Sequence, residues 1–242
     1  MTPGFIKLDQ VDIDGALEDS AGSAVATLEA DGDTRADFFK KAGLAGGAAL
    51  SGGALLAALV PGTALGAGRP PAGTFGRGDI GILNFALTLE YLEAAFYNEA
   101  TANNRKSSFI KNRQIGLLLK RVTADENVHV KTLKGALGSK AVPSPKFDFR
   151  GTTKAEKIFI QTTASLENTG VHAYLGQAGN IKSTAILGTA GSILTIEARH
   201  ASVAGLLFQK TSGSISPDGP FDVPFSANRV LKAVAKTKFI IK

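Results

Sequence analysis

From residue 79 onward, apolar positions recur every three to four residues, the period of a helix with one buried stripe. Four such segments follow one another. The first covers about residues 80–103 and carries Ile80, Leu83, Phe85, Leu87, Leu89, Leu92, Ala95 and Phe96, apolar nearly all round in its first half. Asp79 is its expected N-cap. The second covers about 108–137, with Ile115, Leu118, Leu119, Val122, Val128 and Leu133, and Gly138 closes it. The third opens at Thr153-Lys154-Ala155-Glu156, a capping-box spacing, and runs to about Gly179. The fourth covers about 183–210 and is stopped by Ser212-Gly213 and Pro217.

The joints set the topology. The first and last pairs of segments are joined by about four residues each, which makes each pair an antiparallel hairpin. Between the hairpins lie residues 139–152, with Pro143, Pro145 and the alternating Phe147-Asp148-Phe149. Extended, this linker reaches about 46 Å, as long as a helix of about 30 residues, so it can cross the whole bundle. The expected fold is all-α: a ferritin-like four-helix bundle of two antiparallel hairpins joined by a long crossover. The domain expectation is a bundle over 78–211 and a C-terminal tail over 212–242 packed on its outside.

The first 68 residues read as an address. They carry 4 Lys+Arg against 9 Asp+Glu, whereas residues 69–242 carry 23 against 12, a net of +11. Thr34, Arg35, Phe38 and Lys40 fit a twin-arginine export signal whose second arginine is replaced by Ala36. An uncharged, Gly/Ala-rich run over 42–68 follows. Residues 42–60 are long enough for a membrane span, but the small residues and Pro61-Gly62 favour a cleavable segment cut near 64–68. An exported chain results, membrane-associated if the signal is retained. Zero Cys excludes disulfides, zinc–thiolate and iron–sulfur sites and thiol catalysis. The basic surface suits an anionic cell-wall or envelope component. No aromatic-interleaved basic strand accompanies it, so no nucleic acid is expected. Nothing in the pattern opposes a homo-oligomer.

The chemistry lies in a doubled motif. Glu126-Asn127-Val128-His129 and Glu197-Ala198-Arg199-His200 each place Glu and His three residues apart, on one helix face. With 9 Glu and 3 His in the chain, fewer than one such pair is expected by chance. The other two segments carry Glu90 with Tyr97, and Glu167 with Tyr174, each pair seven residues apart along one stripe. Four carboxylates and two imidazoles on four helices predict a dinuclear metal site. Its ligands would be Glu90, Glu126, His129, Glu167, Glu197 and His200, holding two Fe or two Mn ions. Glu126 and Glu167, or a comparable pair, would bridge. Tyr97 and Tyr174 are candidate catalytic residues, or else buried aromatics with satisfied hydroxyls. Glu93 competes with Glu90, but the tyrosine spacing favours Glu90 and leaves Glu93 behind the ligands or on the surface. Asp125 either orients a ligand His or is solvated. Glu99 reads as a solvated charge, and His172, five residues from Glu167, should miss the site.

The run from Ile82 to Tyr97, together with the Pro143…Pro145…Phe147-Asp148-Phe149 linker, resembles the exported ferritin-like domain family that includes desiccation-related proteins. The resemblance covers about 78–210 and implies the fold and the metal site more than a reaction. A dinuclear Fe or Mn centre implies a ferroxidase, peroxidase or catalase type of oxidoreductase, with O2 or peroxide as partner, in stress or desiccation protection. The competing expectation is an envelope protein whose metal only stabilises the bundle.

Overall fold

Strongly apolar segments bury themselves against one another, and the short joints force neighbours to run antiparallel. A computed structural model describes residues 68–208 and 221–241, and it is predominantly helical, with packed antiparallel helix pairs. After a short helix α1 (Ala72–Phe75), the first hairpin is α2 (Gly78–Ser107) and α3 (Arg113–Leu137). The second hairpin is α4 (Glu156–Ala178) and α5 (Thr184–Phe208). The all-α bundle expected from the periodicity is therefore present. The leader, the signal-like motif and residues 209–220 lie outside the described residues.

Three boundaries differ from the sequence expectation, and each has a polar cause. Asp79 does not cap α2, whose N-cap is Arg77. Its carboxylate instead accepts the backbone N–H groups of Lys182 and Ser183, at 3.0 and 2.8 Å, just ahead of α5. Segment two begins at Arg113 rather than 108, because Ser108 turns left-handed (φ 49°) and Asn112 caps α3 by accepting from Gln114 N and Ile115 N. The Thr153–Glu156 capping box does not form. Ala155 is the N-cap of α4 and makes no side-chain cap. Glu156 reaches across to the backbone N–H groups of Lys111 and Asn112 instead. Thr153 donates to Glu99 at 2.5 Å, so Glu99 is partnered rather than a free surface charge.

The linker between hairpins contains β1 (Lys146–Phe147), which pairs antiparallel with β2 (Ile240–Ile241). Between these strands in sequence comes α6 (Ala227–Thr237), capped by Ser226, which packs on α4. Phe96 is the hub of an aromatic cluster here, with ring centroids of Phe149, Phe159 and Phe239 at 5.3, 5.6 and 6.5 Å. Gly176 marks a second close approach: a Cβ there would meet the Phe225 carbonyl oxygen at 1.9 Å. The Phe225 ring lies between His172, stacked at 4.1 Å, and Arg229, at 3.4 Å. His172 thus turns to this outer segment, away from the bundle centre, as its spacing from Glu167 implied.

The core falls into two apolar clusters. One includes Leu92, Phe96, Ile115, Val122 and Phe159; the other includes Ile82, Leu87, Leu133, Ile181 and Ile193. Along α3, residues 126 and 129 fall between Val122 of the first cluster and Leu133 of the second. A polar layer is thereby sealed between two hydrophobic ones. Among the described residues, no helix is long and apolar enough to cross a membrane.

Candidate metal centre

The i, i+3 spacing works as the helix geometry requires. On α3 it points Glu126 and His129 into the sealed layer, and on α5 it points Glu197 and His200 into the same layer. Glu90 arrives from α2 and Glu167 from α4. All four carboxylates are 0% exposed, and His129 and His200 are 7% and 4% exposed. The six residues fall into two groups able to hold a metal ion: Glu90, Glu126, His129 and Glu197, and then Glu126, Glu167, Glu197 and His200. Within each group the donor atoms lie within 4.8 Å of one another. Glu126 and Glu197 belong to both groups.

Both imidazoles present Nδ1 to the carboxylates. His129 Nδ1 stands 3.0, 3.2 and 3.3 Å from Glu126, Glu197 and Glu90. His200 Nδ1 stands 3.2 Å from both Glu126 and Glu167. The outer nitrogen of His200 is 3.1 Å from Asp125, which also takes Arg121 at 2.7 Å. Of its two sequence readings, Asp125 has the orienting position: an Nε2–H donated to it leaves the Nδ1 lone pair turned inward.

The tyrosines do not serve the carboxylates of their own stripes. Tyr174 of α4 donates to Glu90 Oε1 of α2 at 2.5 Å, and Tyr97 of α2 donates to Glu167 Oε1 of α4. The exchange is reciprocal across the bundle. It occupies one oxygen of each carboxylate and leaves Oε2 of Glu90 and Glu167 without a hydrogen bond. Glu126 Oε1, both oxygens of Glu197 and His200 Nδ1 are also buried without one.

Such orphaned acceptors are costly unless a cation takes them up, and the proton distribution reflects it. Burial pushes Glu90 up to about 8, helped by the Glu126 charge. Burial and the neighbouring carboxylates likewise raise Glu197 well above its usual value. Burial opposes charge on the imidazoles too, yet the carboxylates around them outweigh it, lifting His129 to about 12 and His200 to about 11. Glu126, despite burial, is held down to about 2 by both histidines. Without metal, protons supply the missing positive charge. Once those protons leave, the converging carboxylate and imidazole donors fit divalent first-row metals.

Of the two places the sequence leaves open for Glu93, the buried one holds. Glu93 is not on the surface: it is 3% exposed and feels the charges of Glu197, Glu167, Glu126 and Glu90. Its signal was available at three residues from Glu90 and four before Tyr97, on the same buried stripe.

Outside the layer, a groove of about 580 Å³ runs between α3 and α5. Leu117, Leu118, Ile196, Val203 and Leu206 are among its walls, and Asp125 and His200 also line it. It brings solvent space to His200.

No match to the chain is found among curated proteins. The ferritin-like domain family matches residues 78–210, the stretch that holds the four long helices and all six converging side chains. A match over more than half of the chain, on a bundle with this buried Glu/His cluster, makes the protein a member of the ferritin-like domain family.

Proposed function

We propose that the protein is an exported oxidoreductase of the ferritin-like family, carrying two Fe or two Mn ions and consuming O2 or peroxide. With iron as substrate, it would oxidise Fe2+. The observation that carries this reading is the set of buried, unbonded donor atoms, divided into two groups that share Glu126 and Glu197. Four carboxylates balance the charge of two divalent ions, and a pair of such ions supplies two-electron exchange with a small oxidant.

The chain's own residues set the conditions. Tyr97 and Tyr174 hold one oxygen each of Glu167 and Glu90, so those carboxylates are fixed as single-oxygen donors at the two ends of the site. Glu126 and Glu197, with no tyrosine on them, are free to span it. Asp125 fixes the His200 ring and its tautomer. The hydrophobic layers above and below exclude bulk water, which strengthens each electrostatic contact. The groove beside His200, walled mostly by aliphatic side chains with Arg121, Asp125 and Arg199 among its lining, gives a small oxidant an approach to that side of the layer.

Export rests on the Thr34–Lys41 pattern and the small-residue run after it. A stress or desiccation role rests on the resemblance of the first long helix and the linker. The net +11 beyond residue 68 favours an anionic envelope component as neighbour.

The test is metal analysis of protein purified from its native compartment, followed by anaerobic loading with Fe2+ and exposure to O2 or peroxide. Oxidant uptake that Glu126→Ala abolishes, with helicity retained, supports the reading. Negligible turnover together with a sharp fall in melting temperature on chelation would show the metal to be structural only.

A further inference from the structure

Residues 223–242 hold five Lys or Arg and no Asp or Glu. The helix in this stretch, α6, sorts its side chains by face. Ala227, Val230 and Val234 are buried in the core cluster shared with Phe159 and Ile160 of α4. Arg229, Lys232 and Lys236 are exposed, and their i, i+3, i+7 spacing lines them along the opposite face over two turns, about 10 Å. Lys238, just past the helix, is exposed as well. None of these four cations makes an ion pair with a described residue.

Helix stability does not account for this ridge. Lys236, in the last turn, suits the helix dipole, but Arg229 stands in the first turn, where the dipole opposes it and no acidic residue accompanies it. Its guanidinium is held there over the Phe225 ring, 3.4 Å from the centroid. Lys232 and Lys236 are like charges at i, i+4, a spacing that works against the helix. The ridge also ends on an apolar step. Ile240 and Ile241 of β2 are 41% and 39% exposed, and Ile241 is paired with the exposed Lys146 of β1. A soluble polyanion would engage the cations alone. An anionic lipid surface engages both features, since its headgroups attract cations and the boundary beneath them takes aliphatic side chains.

We propose that the outer face of α6, with Arg229, Lys232, Lys236 and Lys238, and the adjoining Ile240–Ile241 edge form a docking surface for an anionic lipid bilayer. The inference deepens the reading of an anionic envelope component as neighbour, and it is independent of the metal centre. Because α6 keeps its apolar face in the protein core, the contact is peripheral: cations meet headgroups, and the two isoleucines enter the boundary beside them.

The experiment measures co-sedimentation of the full chain with vesicles of equal parts phosphatidylglycerol and phosphatidylcholine, and with vesicles of phosphatidylcholine alone. The salt is about 0.1 M, where charges act over about 10 Å. The phosphatidylcholine arm reads any share of the apolar run over 42–60, which every variant keeps. Lys232→Gln/Lys236→Gln/Lys238→Gln should lose about 100-fold of the affinity for anionic vesicles, roughly fivefold per cation. Lys120→Gln/Lys131→Gln/Lys134→Gln removes the same charge from exposed positions on α3 and should lose less than about threefold, since those charges are screened from the docked surface. Ile240→Thr/Ile241→Thr should lose about threefold or more; Ile241→Thr alone serves if the double variant does not fold. Equal losses in the two lysine variants would make binding a matter of net charge and overturn the surface, as would equal binding of the parent to both kinds of vesicle. Unchanged affinity in the folded isoleucine variant, or polyphosphate bound more tightly than the vesicles, would make the surface a polyanion site and overturn the lipid. Finding the protein only in the cytoplasm would remove the export reading and leave the vesicle result standing.

Discussion

Filling the centre with metal should expel protons, and the structure fixes how many. His129 and His200, at about 12 and about 11, each carry a proton in the metal-free protein at pH 7. Glu90, at about 8, is mostly protonated at the same pH. All three must be bare to donate to a metal. Two divalent ions therefore displace at least three protons at pH 7, with Glu197 adding to that number because it too is raised. The sign follows directly: metal and protons compete, so loading strengthens as pH rises. The overall constant for two ions should climb by about three decades per pH unit, about 4 kcal/mol at 1.36 kcal/mol per decade. The slope should ease above pH 8, where Glu90 has already ionised. The assay is calorimetry of Mn2+ binding in two buffers of different ionisation enthalpy at pH 7, which returns the proton count directly. Release of one proton or fewer would mean that the imidazoles are neutral before loading, and the charge argument for the centre would fail.

Other perturbations address the supports of the site. Asp125→Asn should weaken metal retention by about 10- to 100-fold, since it removes the carboxylate that orients His200; competition with a chelator measures this. Tyr97→Phe and Tyr174→Phe each strand a buried carboxylate oxygen and should destabilise the metal-free protein by about 1–3 kcal/mol in urea unfolding. Equal stability of either variant with the parent would contradict the reciprocal pairing. Gly176→Ala drives a methyl into the Phe225 backbone and should cost about 1–3 kcal/mol while leaving metal uptake unchanged, because the contact lies on the outer side of α4.

What could be read from the sequence was what one helix decides alone. Glu126–His129 and Glu197–His200 share a face by spacing, and the apolar stripes bury that face; no knowledge of neighbouring helices is needed. The exchange of tyrosines was not legible, because Tyr97 and Glu167 meet only through the relative height of α2 and α4. The same applies to the membership of Glu126 and Glu197 in both donor groups. Glu156 shows competition between local and distant partners. Its spacing from Thr153 suits a cap, yet two open backbone donors at Lys111 and Asn112 outbid the single one nearby. Asp79 is drawn off in the same way by Lys182 and Ser183. The sequence leaves Glu93 two places, behind the ligands or on the surface, because a fifth acid in a closed layer conflicts with ordinary burial rules. The glycine at 170 on α4 makes room in that layer for Glu197, whose Oε2 a Cβ there would meet at 2.9 Å.

The strand Ile240–Ile241 has an implication for how the protein matures. It fastens the linker, and Phe239 beside it completes the ring cluster around Phe96 and Phe149. The clasp unites positions more than ninety apart in the chain, so a nascent polypeptide has synthesised both hairpins before its aromatic keystone arrives. A fragment ending ahead of Phe239 would leave these rings wet, and proteases would find the linker unfastened.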